Sequence, residues 1–197
     1  MDFAVRSIEL KELKKIYCRI KRDFAPGEYA PYVVLYHQLR SGTLKGFVLL
    51  EGGSEVAYAV CAEGNENGCV LISLMAVYEG IRGRGYGTAF LEELRAVYAD
   101  KNGIIVEVEK PEAASTAPEK ALRERRIAFY QRAGFLLLPN IEYTIWDVPM
   151  HLMALPLQAS QQAIGDEIVQ IINEIYLSLL GKHYIHKMRV IRLESKA

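Results

Sequence analysis

Apolar residues recur along this chain with two periods, and the switches between them lay out its elements. Leu10, Leu13, Ile16, Tyr17, Ile20 and Phe24 fall at helical spacing, which predicts a first helix with one apolar stripe. Ser7 stands where its N-cap belongs, and Pro26-Gly27 ends it. Pro31 suits the first turn of a second helix and Gly42 its stop. β-prone runs follow: Lys45 to Leu50, a tight turn at Glu51-Gly52-Gly53-Ser54, and a return over Glu55 to Ala62. A second turn, Gly64-Asn65-Glu66-Asn67-Gly68, leads into the apolar strand Val70 to Val77. The middle of the chain therefore reads as an antiparallel meander.

Helical spacing returns with Phe90, Leu91, Leu94, Val97 and Tyr98, predicting a helix over 88–100 capped by Asn102-Gly103. Gly103 to Glu109 reads as a strand, parallel to the one ending at Val77 through a right-handed helical crossover. Pro111 to Pro118 is a small-residue loop, and a helix from about 119 to 133 stops at Gly134. Two further strands flank the stretch from Pro139-Asn140 to Pro149, and Met150 to Leu155 closes the sheet. In the tail, Ile164, Ile168, Ile171, Ile172, Ile175 and Leu179 mark an amphipathic helix ending at Gly181. Asp166 and Glu167 near its start and Lys182 and His183 near its end suit the helix dipole.

Composition narrows the function classes. A length of 197 residues, 51% of them hydrophobic, suits one domain with a modest extension. Lys+Arg and Asp+Glu are both 24, so no global basic field points to nucleic acid, and an anionic ligand needs a local site. Cys18, Cys61 and Cys69 have no metal-type spacing. Their odd count predicts reduced thiols, small core residues and a cytoplasmic protein. The first residues lack the apolar region of a signal peptide, and no run suits a membrane helix. His183 and His186 lack a third ligand nearby, so no metal is expected. Arg123, Arg125, Arg126 and Arg132 interleave with Glu119 and Glu124, which reads as a solvated helix face.

The most informative stretch is Arg82-Gly83-Arg84-Gly85-Tyr86-Gly87-Thr88, between a strand and a helix start. Bare N–H groups and the positive end of a helix dipole make such a turn a phosphate site. A P-loop is excluded because no Gly-Lys-Ser/Thr follows. A dinucleotide site would use Gly83, Gly85 and position 88, with Glu107 about 20 residues on as the ribose acid. Position 88 is Thr, however, and hairpins rather than a βαβ series precede it.

The spacing Arg82-x-x-Gly85-x-Gly87 resembles the acyl-CoA pyrophosphate loop of the GNAT acyltransferase superfamily. Leu74-Met75-Ala76-Val77 resembles that family's pantetheine-pairing strand, and Ala128-Phe129-Tyr130-Gln131-Arg132-Ala133-Gly134-Phe135 its Phe-Tyr-x-x-x-Gly-Phe element. The resemblance covers roughly residues 3 to 155. It implies an α/β (α+β) fold, a mixed and mostly antiparallel central sheet flanked by helices. The expected organisation is a GNAT-like domain over 1–158 and a helical extension over 159–197, packed on the domain or forming a homodimer contact.

The same resemblance implies an N-acetyltransferase moving acetyl from acetyl-CoA to a primary amine in a ternary complex. Met75, Ala76 and Val77 would meet the pantetheine arm. Arg82, Gly83, Arg84, Gly85, Tyr86, Gly87 and Thr88 would meet the pyrophosphate, with glycine allowing close backbone approach. Tyr130 would protonate the leaving thiolate. Glu107 and Glu109 share one strand face, and one of them, Glu109 first, would take the amine proton directly or through water. Ser73 stands where some relatives carry a base. Tyr29, Tyr32, Tyr36 and His37, with the 141–149 loop and its Trp146, would wall the acceptor pocket. The alternatives are a non-catalytic acyl-CoA-binding module on the same fold and a nicotinamide-dependent oxidoreductase.

Overall fold

The computed structural model describes residues 2–64 and 68–193. Asn65, Glu66 and Asn67 of the second predicted turn lie outside the described residues. The chain divides into two compact units, Met1–Glu63 with Ile72–Val97 and Gly64–Leu71 with Tyr98–Ala197.

The first unit opens with a strand, β1 (Phe3–Ser7), paired antiparallel with β2 (Leu44–Glu51). Ser7 is therefore the end of a strand opposite Phe47, not a helix cap. The cap falls at Glu9, whose N–H donates to Glu12 at 3.0 Å as a short 3-10 turn begins. Helix α1 (Leu13–Asp23) buries Leu13, Ile16 and Ile20, while Leu10 in the preceding turn stays exposed. Pro31 caps α2 (Tyr32–Ser41) from just outside it, and Gly42, at φ 81°, ends it. β2 returns into β3 (Ser54–Glu63) through Gly52 and Gly53, both at positive φ, the backbone a two-residue hairpin needs. The strand order is β1-β2-β3-β4, where β4 is Cys69–Val77. Helix α3 (Tyr86–Val97) starts two residues before the predicted Thr88 and buries Tyr86, Ala89, Phe90, Leu91 and Leu94.

The second unit holds β5 (Gly103–Glu109), α4 (Ala117–Arg132), β6 (Leu136–Leu137), β7 (Ile141–Ile145), β8 (Val148–Pro156), α5 (Gln161–Tyr184) and β9 (Met188–Arg192). β8 pairs antiparallel with β5, β6 and β7, and β7 pairs with β9. Gly103 is the first residue of β5 rather than a cap for α3, which ends at Val97. A Cβ there would meet Ile164 at 2.6 Å and the Leu155 carbonyl at 2.9 Å, so glycine is needed for the close approach of α5. Ile164, Ile168, Ile172 and Ile175 are the buried face of that helix. Gly181, at φ 66° and ψ 177°, breaks it where the sequence predicts a stop. The tail is not purely helical. Met188 and Val190 are buried on β9, which adds a strand beside β7.

Candidate functional site

In the first unit, β4 runs into the glycine turn. Met75, Ala76 and Val77 are half-buried at its end, so their main-chain groups are not sealed by side chains. Gly80, Gly83 and Gly85 have φ of 84°, 81° and 86°, values that cost other residues strain. A Cβ on any of the three would meet nothing within 4 Å. Conformation, not crowding, requires glycine here, and the surrounding space is open. Among the described residues, the amides of Gly83 through Thr88 donate to no protein acceptor. These donors lie where the N-terminus of α3 concentrates positive partial charge. Gly87 sits within the first turn of α3, and Thr88 is exposed there.

The side chains of the turn do different work. Arg82 is engaged with the protein: its Nε donates to the Val77 carbonyl at 3.1 Å and a terminal nitrogen to Asp23 at 2.5 Å. Tyr86 is buried, edge-on to Phe3, and its hydroxyl donates to Glu51 at 2.6 Å, which raises its pKa. Arg84 is exposed. The open surface of the turn is thus mainly main chain. On β4, Ser73 carries a buried hydroxyl with no hydrogen-bond partner.

In the second unit the two strand carboxylates diverge. Glu107 accepts from the hydroxyl of Tyr143 on β7 and from that of Tyr176 on α5, the latter 2.8 Å from both carboxylate oxygens. Both tyrosines are buried. Burial raises the Glu107 pKa, and the two hydroxyl donors oppose the rise. Glu109, two residues on, accepts from Arg123 at 3.0 Å and Arg126 at 3.3 Å. Arg123 is buried and also holds the Lys110 carbonyl and Glu119. It does not belong to a solvated helix face, unlike Arg125 and Arg132, which are exposed.

Tyr130 near the end of α4 is half-buried, ringed by Phe129 and Phe135 at 5.1 and 5.3 Å. Burial pushes its phenol up to about 12, while the nearby Arg126 pulls it down. Arg126 thus acts electrostatically on Tyr130 and pairs with Glu109, so the expected acid and the first-choice base share one neighbour. His151 on β8, absent from the sequence reading, lies opposite Val108 of β5 and 3.6 Å from Glu112. Burial and the nearby Lys110 lower the pKa of its imidazole, and Glu112 opposes that shift. Only the β5–β8 register exposes its proximity, and a lone histidine in a β-prone run carries no such signal.

Of the other residues singled out, Tyr17 on α1, Tyr29 in the segment between the helices, and Tyr32, Tyr36 and His37 on α2 form a chain of ring contacts. Trp146, at φ 51°, packs against Tyr184 at 6.4 Å. Cys61 and Cys69 are core residues, whereas Cys18 is exposed. Among the described residues no cluster of three or more His, Cys, Asp or Glu side chains could hold a metal. None of the described helices is long and apolar enough to cross a membrane.

Residues 43–136 match the family model described as an acetyltransferase (GNAT) domain. Curated proteins give no match to the chain. A protein from Bacteroides thetaiotaomicron assigned to the GNAT family superposes with a TM-score of 0.73 at 22% identity, covering 90% of this chain and 98% of that one. The ribosomal-protein-S18-alanine N-acetyltransferase of Escherichia coli gives 0.55 at 21%, covering 82% and 97%. AAC(6')-Ib, solved with paromomycin and acetyl-CoA, gives 0.60 at 16%, covering 83% and 96%. At these identities the structures establish a shared fold, a mostly antiparallel sheet flanked by helices. The matched segment, which contains the glycine turn and Tyr130, is thus similar to a GNAT acetyltransferase domain, and the fold around it is the one these structures share.

Proposed function

We propose that this protein acetylates a primary amine with acetyl-CoA by direct attack in a ternary complex. The observation that carries the reading is the row of unpaired amide donors from Gly83 to Thr88, set by glycines at positive φ at the start of α3. Oriented main-chain donors at a helix N-terminus favour a doubly charged pyrophosphate. Met75, Ala76 and Val77 supply main-chain groups for the pantetheine amides. Arg84 adds an exposed charge at the rim.

An amide forms when the amine nitrogen attacks the thioester carbon and the thiolate leaves. Tyr130 suits the donor role, because a phenol held near 12 keeps its proton throughout the neutral range. Glu107 is sealed beneath Tyr143 and Tyr176, so we assign it to holding α5. Glu109 keeps about a quarter of its side chain exposed, and we assign it the amine proton, taken through water. Its two arginine partners favour the second reading, a module that binds acyl-CoA without transfer.

A thermal-shift titration with acetyl-CoA, CoA, NADH and NADPH separates the readings. Binding at about 100 times Kd adds about 2.7 kcal/mol. A shift with acetyl-CoA and CoA alone supports the proposal, and a nicotinamide-only shift overturns it. Once an acceptor is found, Tyr130→Phe should lower kcat by about a hundredfold or more while CoA affinity holds. Unchanged turnover would remove Tyr130 from the mechanism. A pH–rate profile that Glu109→Gln leaves unmoved would remove Glu109.

A further inference from the structure

Arg82 opens the glycine motif, yet its guanidinium is already held by the protein. Nε donates to the carbonyl of Val77, the last residue of β4, at 3.1 Å. The 2.5 Å ion pair to Asp23 joins the turn to the final residue of α1. Asp23 is largely covered, with 10% of its side chain exposed, and its other oxygen accepts from Tyr58 at 2.9 Å. Tyr58 is fully buried on β3. A continuous path of hydrogen bonds therefore runs from a core tyrosine through Asp23 and Arg82 to the end of the strand that feeds the turn.

Such a path has a physical purpose. The glycines at 80, 83 and 85 give the turn its shape, but each is also the most permissive residue in the chain. With nothing within 4 Å of their Cβ positions, no side chain packs against these glycines where a Cβ would be. A bidentate-capable guanidinium fixed at both ends can hold that shape. The geometry points to Asp23 and Tyr58 as positioning residues for the anion-binding turn, with Arg82 acting as a strut rather than as a phosphate contact. This inference rests on the acetyl-CoA reading for the identity of the anion, not for the existence of the strut.

The two roles of Arg82 predict opposite results at Asp23. If Arg82 is a strut, Asp23→Asn and Arg82→Ala should each weaken CoA binding by about tenfold, the effect of losing one charged hydrogen bond. Their double variant should lose little more, because the two act as one unit. Tyr58→Phe should weaken it less, and Asp23→Glu should restore part. If Arg82 is a phosphate contact, Asp23→Asn frees it, and CoA binding holds or tightens. Isothermal titration with CoA distinguishes these outcomes, and the second overturns the proposal. Hydrogen exchange of the Gly83–Thr88 amides in ligand-free protein gives an independent readout. The strut predicts faster exchange in Asp23→Asn at nearly unchanged global stability, and equal exchange overturns it. Should the wild type bind no CoA, the acetyl-CoA reading falls, and the exchange measurement alone decides the strut.

Discussion

Around Gly83 and Gly85 the polar groups left for a partner are main-chain amides in open space. Around Glu107 they are side chains, and the protein partners all of them: one carboxylate and two tyrosine hydroxyls, each supplied by a different element. The first region keeps its donors unpaired, so its natural complement is an anion from outside. The second brings its own complement and seals it in. A strand carboxylate in a sequence with this motif invites a catalytic assignment, but a buried acid already satisfied by two hydroxyls is first a structural device.

The contrast breaks most sharply at Glu107. Glu107→Leu would strand two buried hydroxyls, at about 1–3 kcal/mol each, and chemical denaturation should show a loss of about 3 kcal/mol. A change under 0.5 kcal/mol would mean that the cluster does not hold α5. The turn should respond in a different currency. Gly85→Ala places a Cβ at φ 86°, a strain of about 1–2 kcal/mol. With open space around it the turn relaxes rather than the fold failing, so CoA affinity should fall about tenfold while the melting temperature barely moves. Equal affinity would show that the amide arrangement does not matter.

The smallest effect is a pH dependence. Burial raises the Glu107 pKa above its ordinary 4.5, so the folded state favours the neutral acid. That contribution is fully present below pH 4.5 and is lost as pH rises through the raised value. Relative to Glu107→Gln, which keeps an acceptor and cannot ionise, the wild type should lose stability as pH rises above about 4.5. A constant gap would mean that the two hydroxyls fully offset the cost of burying the charge.

Much of this was legible in the sequence, and for physical reasons. The Gly52-Gly53 turn and the break at Gly181 follow from positive-φ backbone that only glycine satisfies cheaply. The Ile stripe of α5 follows from a period of 3.6. What escaped was short or long-range. β1 and β9 are five residues each, too brief for alternation to stand out from the adjoining helical signals. Ser7 matched a cap by type, but its pairing with Phe47 outranks local preference. The side-chain partners of Glu107, Glu109 and Arg82 come from residues 14 to 69 positions away, a range over which residue type carries no distance information. The glycine motif carries the expectation of an anion site, and only the three-dimensional arrangement reveals that its first arginine is already occupied.

β9 also bears on how the protein is handled. It covers one hydrogen-bonding edge of β7, a run of Ile141, Glu142, Tyr143, Thr144 and Ile145. Uncovered, that edge presents unpaired main-chain groups between β-branched and aromatic side chains, the kind of surface that recruits another chain. Arg189 and Arg192 on β9 are exposed, each paired with an acidic side chain, and such charges discourage a further strand from adding on. Clipping the chain after α5 would therefore be felt first as self-association and poor solubility, before any question of turnover arose.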